Sequence, residues 1–224
     1  MALNFVQRID DGVKIQNVLV SVSDKTGLDR LVPALLKINP TVKFYSTGGT
    51  FTALRDITGV TSGNLISVSD YTGQPEMQGG LVKTLDFKIY LGLLSETYNP
   101  AHSEDLKRTH AVALDMVIVN LYPFVQTVAR PDATPEMARA NIDIGGPCMV
   151  RASAKNFLRV ASVTNPSDYE SVIKELTVGQ GVLSLKTRFE LAQKAFAHTA
   201  AYDTAVAAYL NAKSFAEVKA CYQF

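Results

Sequence analysis

The feature that most constrains the fold of this chain is a strand, a glycine-bearing turn and a helix, which follow one another twice near the amino terminus. The apolar run Val18–Val22 predicts a buried strand, which continues through S-D-K-T-G into an apolar-periodic helix over Leu28–Ile38. Val42–Tyr45 predicts a second strand, followed by S-T-G-G-T and a short helix that ends near Ile57. Because strands that alternate with helices form parallel sheets, the sequence predicts an α/β fold.

The rest of the chain extends this alternation and ends in helical structure. Asp115–Leu121 is a nearly continuous apolar run, which is typical of a central parallel strand. Further strands are predicted within Lys88–Leu94 and at Val160–Thr164, and further helices near His102–His110, after Pro147, near Ser167–Leu176 and over Leu185–Leu210. Residues 58–78 are rich in turn signals, Pro33 should kink or shift its helix, and the last helix should turn Phe189, Ala192 and Phe196 inward. We expect one domain, with a core of about residues 17–176, a helical extension of about residues 182–212 and no further domain.

The composition argues against several classes of function. The 224 residues carry a net charge of +1 and 47% are apolar, so the chain can bury a substantial core but has no basic surface for nucleic acid or membranes. Cys148 and Cys221 are far apart and the three histidines lack metal-ligand spacing, so we expect neither a disulfide nor a metal site. No apolar run approaches a membrane span, and the amino terminus lacks a signal-peptide core. We expect a cytoplasmic protein.

Two loops suit a phosphate group, because ligands of open α/β sheets bind beyond the carboxyl ends of the strands. In Ser21–Gly27, the hydroxyl of Ser23 and the ammonium of Lys25 could hold phosphate, although Ser23 or Asp24 could equally cap the following helix. In the next loop, two glycines let backbone N–H groups approach an anion and two threonines add hydroxyls, although a glycine turn with a threonine cap would look the same. The candidates in that loop are Thr47, Gly48, Gly49 and Thr50.

Two shorter segments also carry polar candidates. Lys83 and Thr84 follow a glycine pair and could meet a ligand, although a Lys-Thr pair on a loop is usually solvated. Asn120 and Tyr122 follow the strongest predicted strand, so they would project into the same cleft in a parallel sheet. A tyrosine beside a proline is as often a packing residue.

The segment Asn141–Lys155 combines an acid/base candidate with an anion site. Asp143 and the pair Gly145–Gly146 come just before Pro147, which suits the first turn of a helix, and a helix start favours an anion or a developing oxyanion. Lys155 shares the face of Pro147 but lies about 12 Å further along the axis. The two ends could therefore contact different parts of a substrate or serve sites in different subunits. An Asp-capped helix with ordinary surface cations is the alternative.

Taken together, these motifs resemble those of the inosine monophosphate (IMP) cyclohydrolase domain of the bifunctional purine-biosynthesis enzymes. They run in the family's order from Ser21 to Asp203. The matching pieces are S-V-S-D-K-T-G-L, S-T-G-G-T, P-E-M with the following G-G, V-K-T-L, V-N-L-Y-P-F, N-I-D-I-G-G, R-A-S-A-K-N and K-A-F-A-H-T-A-A-Y-D.

The resemblance implies a methylglyoxal-synthase-like fold of three layers, in which helices flank a mostly parallel sheet, with a helical C-terminal extension and a homodimeric assembly. It also implies a hydrolase-class cyclohydrolase that closes the ring of 5-formamidoimidazole-4-carboxamide ribonucleotide to IMP with loss of water, the last step of de novo purine biosynthesis. No cofactor is implied. The family usually continues into a formyltransferase domain, so we expect a separate formyltransferase as a partner activity.

By the same resemblance, Asp143 takes the amide proton, and Gly145 and Gly146 stabilise the oxyanion together with Lys155 or Lys83. Tyr122 and Asn120 position the nucleobase of the substrate and its substituents, and Tyr122 completes the catalytic group. The substrate-binding residues implied are Ser21, Ser23, Lys25, Thr47, Gly48, Gly49, Thr50, Thr84, Asn120, Gly145 and Gly146.

The chain departs from the family in G-R-V-K-T-L-H-P. Leu81 replaces the arginine, Asp86 and Phe87 replace the histidine and proline, and Tyr90-Leu91 replaces a later histidine-glycine pair. Loss of a cation near a phosphorylated substrate should weaken binding, and Asp86 adds a repelling charge if it faces the site.

Three rival functions differ in which residues they need. A nucleotide- or phosphate-binding regulatory module of the same fold would retain the phosphate loops and would need neither Asp143 nor Lys155. A lyase of the methylglyoxal synthase type would need its own Asp and His pattern. A scaffold has no use for converging phosphate-type loops.

Overall fold

The computed structural model describes residues 5–57, 59–75, 77 and 82–223. The strands are, in chain order, β1 (Gly12–Lys14), β2 (Asn17–Val22), β3 (Lys43–Ser46), β4 (Leu65–Ser67), β5 (Met116–Asn120), β6 (Ala161–Val163) and β7 (Val182–Ser184). Five of them form one sheet in the order β4-β3-β2-β5-β6, in which every neighbouring pair is parallel. β1 and β7 form a separate antiparallel pair.

Helices lie on both faces of the five-stranded sheet. They are α1 (Leu28–Ile38), α2 (Gly48–Arg55), α3 (Val68–Thr72), α4 (Phe87–Leu94), α5 (Pro100–Arg108), α6 (Phe124–Val128), α7 (Pro135–Ala140), α8 (Gly145–Lys155), α9 (Tyr169–Val178), α10 (Leu185–Asn211) and α11 (Phe215–Lys219). Successive side chains of a strand point to opposite faces, so β2 contributes to two cores. Val18 and Val20 pack with α1 and α9, whereas Leu19 packs with α4, α8 and α10. The three-layer α/β fold predicted from the sequence is confirmed.

Several predicted elements are confirmed in position. The predicted strands Val18–Val22, Val42–Tyr45, Asp115–Leu121 and Val160–Thr164 correspond to β2, β3, β5 and β6. Helix α1 has the predicted bounds, and Pro33 lies inside it without shifting its start.

Two predictions about secondary structure are wrong. The predicted strand within Lys88–Leu94 is helix α4, because Asp86 caps it by accepting a hydrogen bond from the backbone N–H of Lys88 at 2.8 Å. Ile89 and Leu93 then face the core at helical spacing. The segment over 58–78, predicted as turns, contains β4 and α3.

Helix α10 is confirmed in length, but its buried face was predicted only in part: Ala192 is buried as predicted, whereas the two phenylalanines are not. Phe189 and Phe196 are 45% and 40% exposed, whereas Arg188 is fully buried. The Arg188 guanidinium donates hydrogen bonds of 2.6–3.0 Å to backbone carbonyls, which belong to Asp10, Asp11, Phe157, Leu158 and Leu183. This side chain joins the segment before β1, the turn after α8 and strand β7 to α10.

Candidate active site

A cavity of about 330 Å³ opens where the carboxyl ends of β2, β3 and β5 meet. Because these strands are parallel, the loops that follow them converge at one edge of the sheet. The volume is in the usual range for small-molecule sites. The predicted site residues that line this cavity are Ser21, Ser23, Lys25, Thr47, Gly48, Gly49, Thr50, Lys83, Thr84, Asn120, Tyr122, Asp143, Gly145 and Gly146.

Lys155 is the one predicted site residue that the structure does not bring to this cavity. It is the last residue of α8 and is exposed, whereas Gly145 and Gly146 at the first turn line the cavity. Within the described part of this chain, the lysine and the cavity lie at opposite ends of one helix.

Asp143 carries the titratable carboxylate that the sequence predicted as a base. Its Oδ1 accepts a hydrogen bond from the backbone N–H of Gly146 at 2.8 Å. Burial raises the pKa of Asp143, and backbone hydrogen bonds from Gly146 and Tyr122 oppose that rise. A carboxylate whose pKa is raised is a stronger base than an ordinary aspartate, and such groups cluster at catalytic sites.

The two glycines of α8 allow this close approach. A Cβ at Gly146 would meet the Asp143 carboxylate and would lie 2.7 Å from Leu121 Cδ2, and a Cβ at Gly145 would lie 2.9 Å from Thr84 Oγ1. The space at Gly146 lets its backbone N–H, which was predicted as an oxyanion donor, bind the Asp143 carboxylate instead.

The loop after β2 is shaped by Asn120. Its Oδ1 accepts hydrogen bonds from the backbone N–H groups of Ser23 and Asp24 at 2.7 and 2.9 Å, and its Nδ2 donates to the Asp24 carbonyl at 2.7 Å. Asp24 in turn accepts from the backbone and hydroxyl of Thr26. Helix α1 starts after Gly27, whose φ of +78° is left-handed, so the capping alternative for Ser23 or Asp24 is wrong. Asn120 was predicted to bind the substrate, and in the structure its side chain holds the loop after β2 in place.

The start of α2 and Lys83 form another polar wall of the cavity, beside the loop after β2. The Thr50 hydroxyl accepts from Val22 N at 3.1 Å and donates to Val22 O at 3.0 Å, which fastens α2 to the end of β2. Gly48 has a φ of +53°, and a Cβ there would lie 2.9 Å from Lys83 Nζ. The Lys83 ammonium therefore lies beside a helix start, where unpaired N–H groups and the helix dipole also favour an anion.

Tyr202 lies in the motif A-A-Y-D, which resembles the family, but the sequence alone predicts no role for it. The Tyr202 Oη accepts a hydrogen bond from the backbone N–H of Asp143 at 2.8 Å and donates to the Asn141 carbonyl at 3.2 Å. The motif was the available signal, but nothing in its spacing pairs α10 with a loop 59 residues earlier.

The departures from the family pattern fall partly outside this cavity. Asp86 caps α4 and is not one of the described residues that line the cavity. Its charge is thus used at a helix start, where a carboxylate is stabilising. Leu81, Gly79 and Gly80 lie outside the described residues.

Within the described residues, no helix is both long and apolar enough to cross a membrane. The same part of the chain holds no group of three or more His, Cys, Asp or Glu residues placed to bind a metal ion.

An open parallel sheet with a polar cavity across its central strand ends defines an α/β protein with a candidate site for a small molecule. Residues 27–148 match the family model described as the MGS-like domain, and residues 153–223 match the model described as the AICARFT/IMPCHase bienzyme. The chain therefore belongs to the MGS-like domain family. The resemblance drawn from the motifs is confirmed by both matches.

Its relatives include bifunctional purine biosynthesis proteins PurH. The protein of Leptospira biflexa is 46% identical over 199 residues, which cover 89% of this chain and 38% of the relative. That of Neisseria meningitidis is 46% identical over 200 residues, covering 89% and 37%, and that of Acetivibrio thermocellus is 45% identical over 197 residues, covering 88% and 37%. The chain thus spans less than two fifths of the length of these curated relatives. The crystal structure of ForH is 31% identical with a TM-score of 0.72, covering 86% of this chain and 97% of that one.

Proposed function

We propose that this chain is an IMP cyclohydrolase, which closes the ring of 5-formamidoimidazole-4-carboxamide ribonucleotide to IMP with loss of water. The observation that carries the proposal is the partly buried Asp143 carboxylate, which shares one cavity with Lys83 and the glycine-rich start of α2. A regulatory module would need only the phosphate loops, and would have no need of Asp143. The names of the PurH relatives point to the same pathway.

In this mechanism the 5′-phosphate binds at the loop after β2 and the start of α2, beside Lys25. The carboxamide nitrogen of the substrate attacks its own formyl carbon, so proximity is built into the substrate. Asp143 takes the amide proton as the C–N bond forms, and the formyl oxygen becomes an alkoxide that needs donors. Asp143 returns its proton to the alkoxide, and the oxygen then leaves as water, taking the second hydrogen from the formamido nitrogen as the C–O bond breaks and the ring C=N bond forms. General-base catalysis of this kind contributes roughly 10²- to 10⁴-fold.

Some of the remaining polar residues contact the substrate, and others bind parts of the protein itself. Tyr122, at the mouth of the cavity and 45% exposed, is placed to contact the ring system of the substrate. Thr84 lies against the first turn of α8 and adds a hydroxyl to the formyl end. Because the Gly146 amide is bound to Asp143, the oxyanion role falls to Gly145 and to the ammonium of Lys83.

We further propose that the chain acts as one domain in a cytoplasmic homodimer, as a hydrolase-class enzyme without a cofactor. Lys155 would then contribute from the second copy, since it lies at the far end of α8 from its own cavity. The formylated substrate has to come from a formyltransferase, which is the partner activity that the bifunctional relatives suggest.

The test is to incubate the purified protein with the formylated ribonucleotide, to separate the products by chromatography and to measure their masses by mass spectrometry. A product lighter than the substrate by one water and identical to IMP supports the proposal. A folded protein that leaves the substrate unchanged, or that hydrolyses off the formyl group, overturns it.

A further inference from the structure

We propose that Tyr202 is the positioning residue for Asp143: its hydroxyl fixes the turn that presents the carboxylate to the cavity. The inference rests on the proposed function in so far as Asp143 is a base. Tyr202 is not one of the described residues that line the cavity, so it acts through Asp143 and not on the substrate.

The hydrogen bonds of the Tyr202 hydroxyl span the whole turn. The hydroxyl accepts from the backbone N–H of Asp143 at 2.8 Å and donates to the carbonyl of Asn141 at 3.2 Å. One side chain therefore satisfies a donor and an acceptor two residues apart, in a segment that has no sheet ladder to hold it. Loss of the hydroxyl leaves both backbone groups without this partner, and the turn is then free to change its dihedral angles.

The ring of Tyr202 ties the same turn to the opposite wall of the cavity. It packs edge to face against Phe124, with ring centroids 6.1 Å apart, and Phe124 is buried two residues after Tyr122. Helix α10 thus contacts the first residue of α6 through the ring and the segment before α8 through the hydroxyl. Removing the hydroxyl alone separates these two contributions.

Tyr209 is a matched control on the same helix. It lies seven residues, about two turns, after Tyr202, and its ring also packs edge to face on Phe124 at 5.9 Å. Its hydroxyl is buried with no hydrogen-bond partner among the described residues. Tyr209→Phe therefore removes the same atom from the same kind of packing without touching the turn.

Other charged and titratable groups near Asp143 have to be held constant in a pH experiment. They come from α10, from the loop after β5 and from the segments that share the cavity. These groups are Tyr202 and Asp203, Tyr122, and the lysines Lys25 and Lys83. The Tyr-to-Phe pair changes none of the formal charges among them.

The experiment compares wild type, Tyr202→Phe and Tyr209→Phe by steady-state kinetics across pH and by ¹³C NMR titration of the Asp143 carboxyl. In Tyr202→Phe we expect kcat to fall roughly 10- to 100-fold with KM nearly unchanged, because the base moves while the phosphate loops stay in place. The loosened turn weakens the hydrogen bond from Gly146, so the Asp143 titration and the acid limb of kcat shift to higher pH. Tyr209→Phe should match wild type in all three readouts.

A Tyr202→Phe variant that titrates and turns over like Tyr209→Phe overturns the proposal. If wild type turns over nothing, the proposed function fails, while the NMR titration still decides whether Tyr202 controls Asp143. If Tyr202→Phe does not fold, hydrogen exchange of the Asp143 amide in wild type decides. Strong protection supports the hydrogen bond to Tyr202, and fast exchange overturns it.

Discussion

Asp143 and Gly146 are joined by a hydrogen bond in the wall of the cavity, in which the Gly146 amide donates to the Asp143 carboxylate at 2.8 Å. Burial raises the pKa of Asp143, while the amide at the first turn of α8 stabilises the ionised form. The Asp143 carboxylate can therefore still ionise, and its orientation is fixed by the hydrogen bond from Gly146. Both properties are what a general base requires.

Gly146→Ala should separate this pair without unfolding the protein. The added Cβ would meet the carboxylate and would lie 2.7 Å from Leu121 Cδ2, so Asp143 has to move. We expect kcat to fall roughly 100-fold, as displacements of about 1 Å do in active sites. Gly63→Ala is the control, because its Cβ would meet Thr61 Oγ1 at an ordinary 3.5 Å. Wild-type kcat in Gly146→Ala would contradict this geometry.

Asp143 should also make the stability of the protein depend on pH. Its folded pKa is raised, so its protonated form contributes stability that is fully present below the unfolded pKa and is lost as pH rises through the folded pKa. Asp143→Asn should therefore be more stable than wild type at neutral pH, and the difference should vanish below the unfolded pKa of about 3.9. Urea unfolding at several pH values measures this. Equal stability at neutral pH would contradict a raised pKa.

Lys155 should act between copies if it acts in catalysis. Since it ends α8 while Asp143 precedes the start of that helix, Lys155→Ala and Asp143→Asn should each be nearly inactive alone. Mixing the two variants lets a mixed dimer form one cavity with both wild-type groups. We expect part of the wild-type activity to return after mixing. If activity does not return although the subunits are shown to exchange, Lys155 lies outside the catalytic machinery.

Arg188 should contribute mainly to the stability of the fold. Arg188→Met removes hydrogen bonds from a fully buried side chain to five carbonyls in three separate segments. We expect a loss of about 3 kcal/mol or more in the free energy of unfolding, measured in urea. Lys186→Met, on a side chain that is 84% exposed, is the control and should change stability by less than about 0.5 kcal/mol.

The cavity could be predicted from sequence because its residues follow strands that are easy to recognise. Once β2, β3 and β5 are parallel, Ser23, Thr47 and Asn120 have to lie at one edge of the sheet. What each polar group bonds to could not be predicted. The amide of Gly146 and the side chain of Asn120 bind other parts of the protein, and that depends on loop geometry that has no periodic signal.

The errors in the fold have physical causes as well. A short apolar run such as Lys88–Leu94 fits a strand or a helix, and only the cap provided by Asp86 distinguishes them. Arg188 was left out of the inward face because a charged residue usually lies outside. Here five carbonyls from segments distant in the chain make its burial favourable, and such pairing is visible only in three dimensions.

The most direct test of the central claim is one turnover experiment on wild type and Asp143→Asn, with binding of IMP measured on both by calorimetry. We predict that wild type converts the formylated ribonucleotide to IMP. We also predict that Asp143→Asn binds IMP with similar affinity and loses at least about 100-fold in kcat. An Asp143→Asn variant that turns over at the wild-type rate would contradict the assignment of the base, and a folded wild type without turnover would contradict the function.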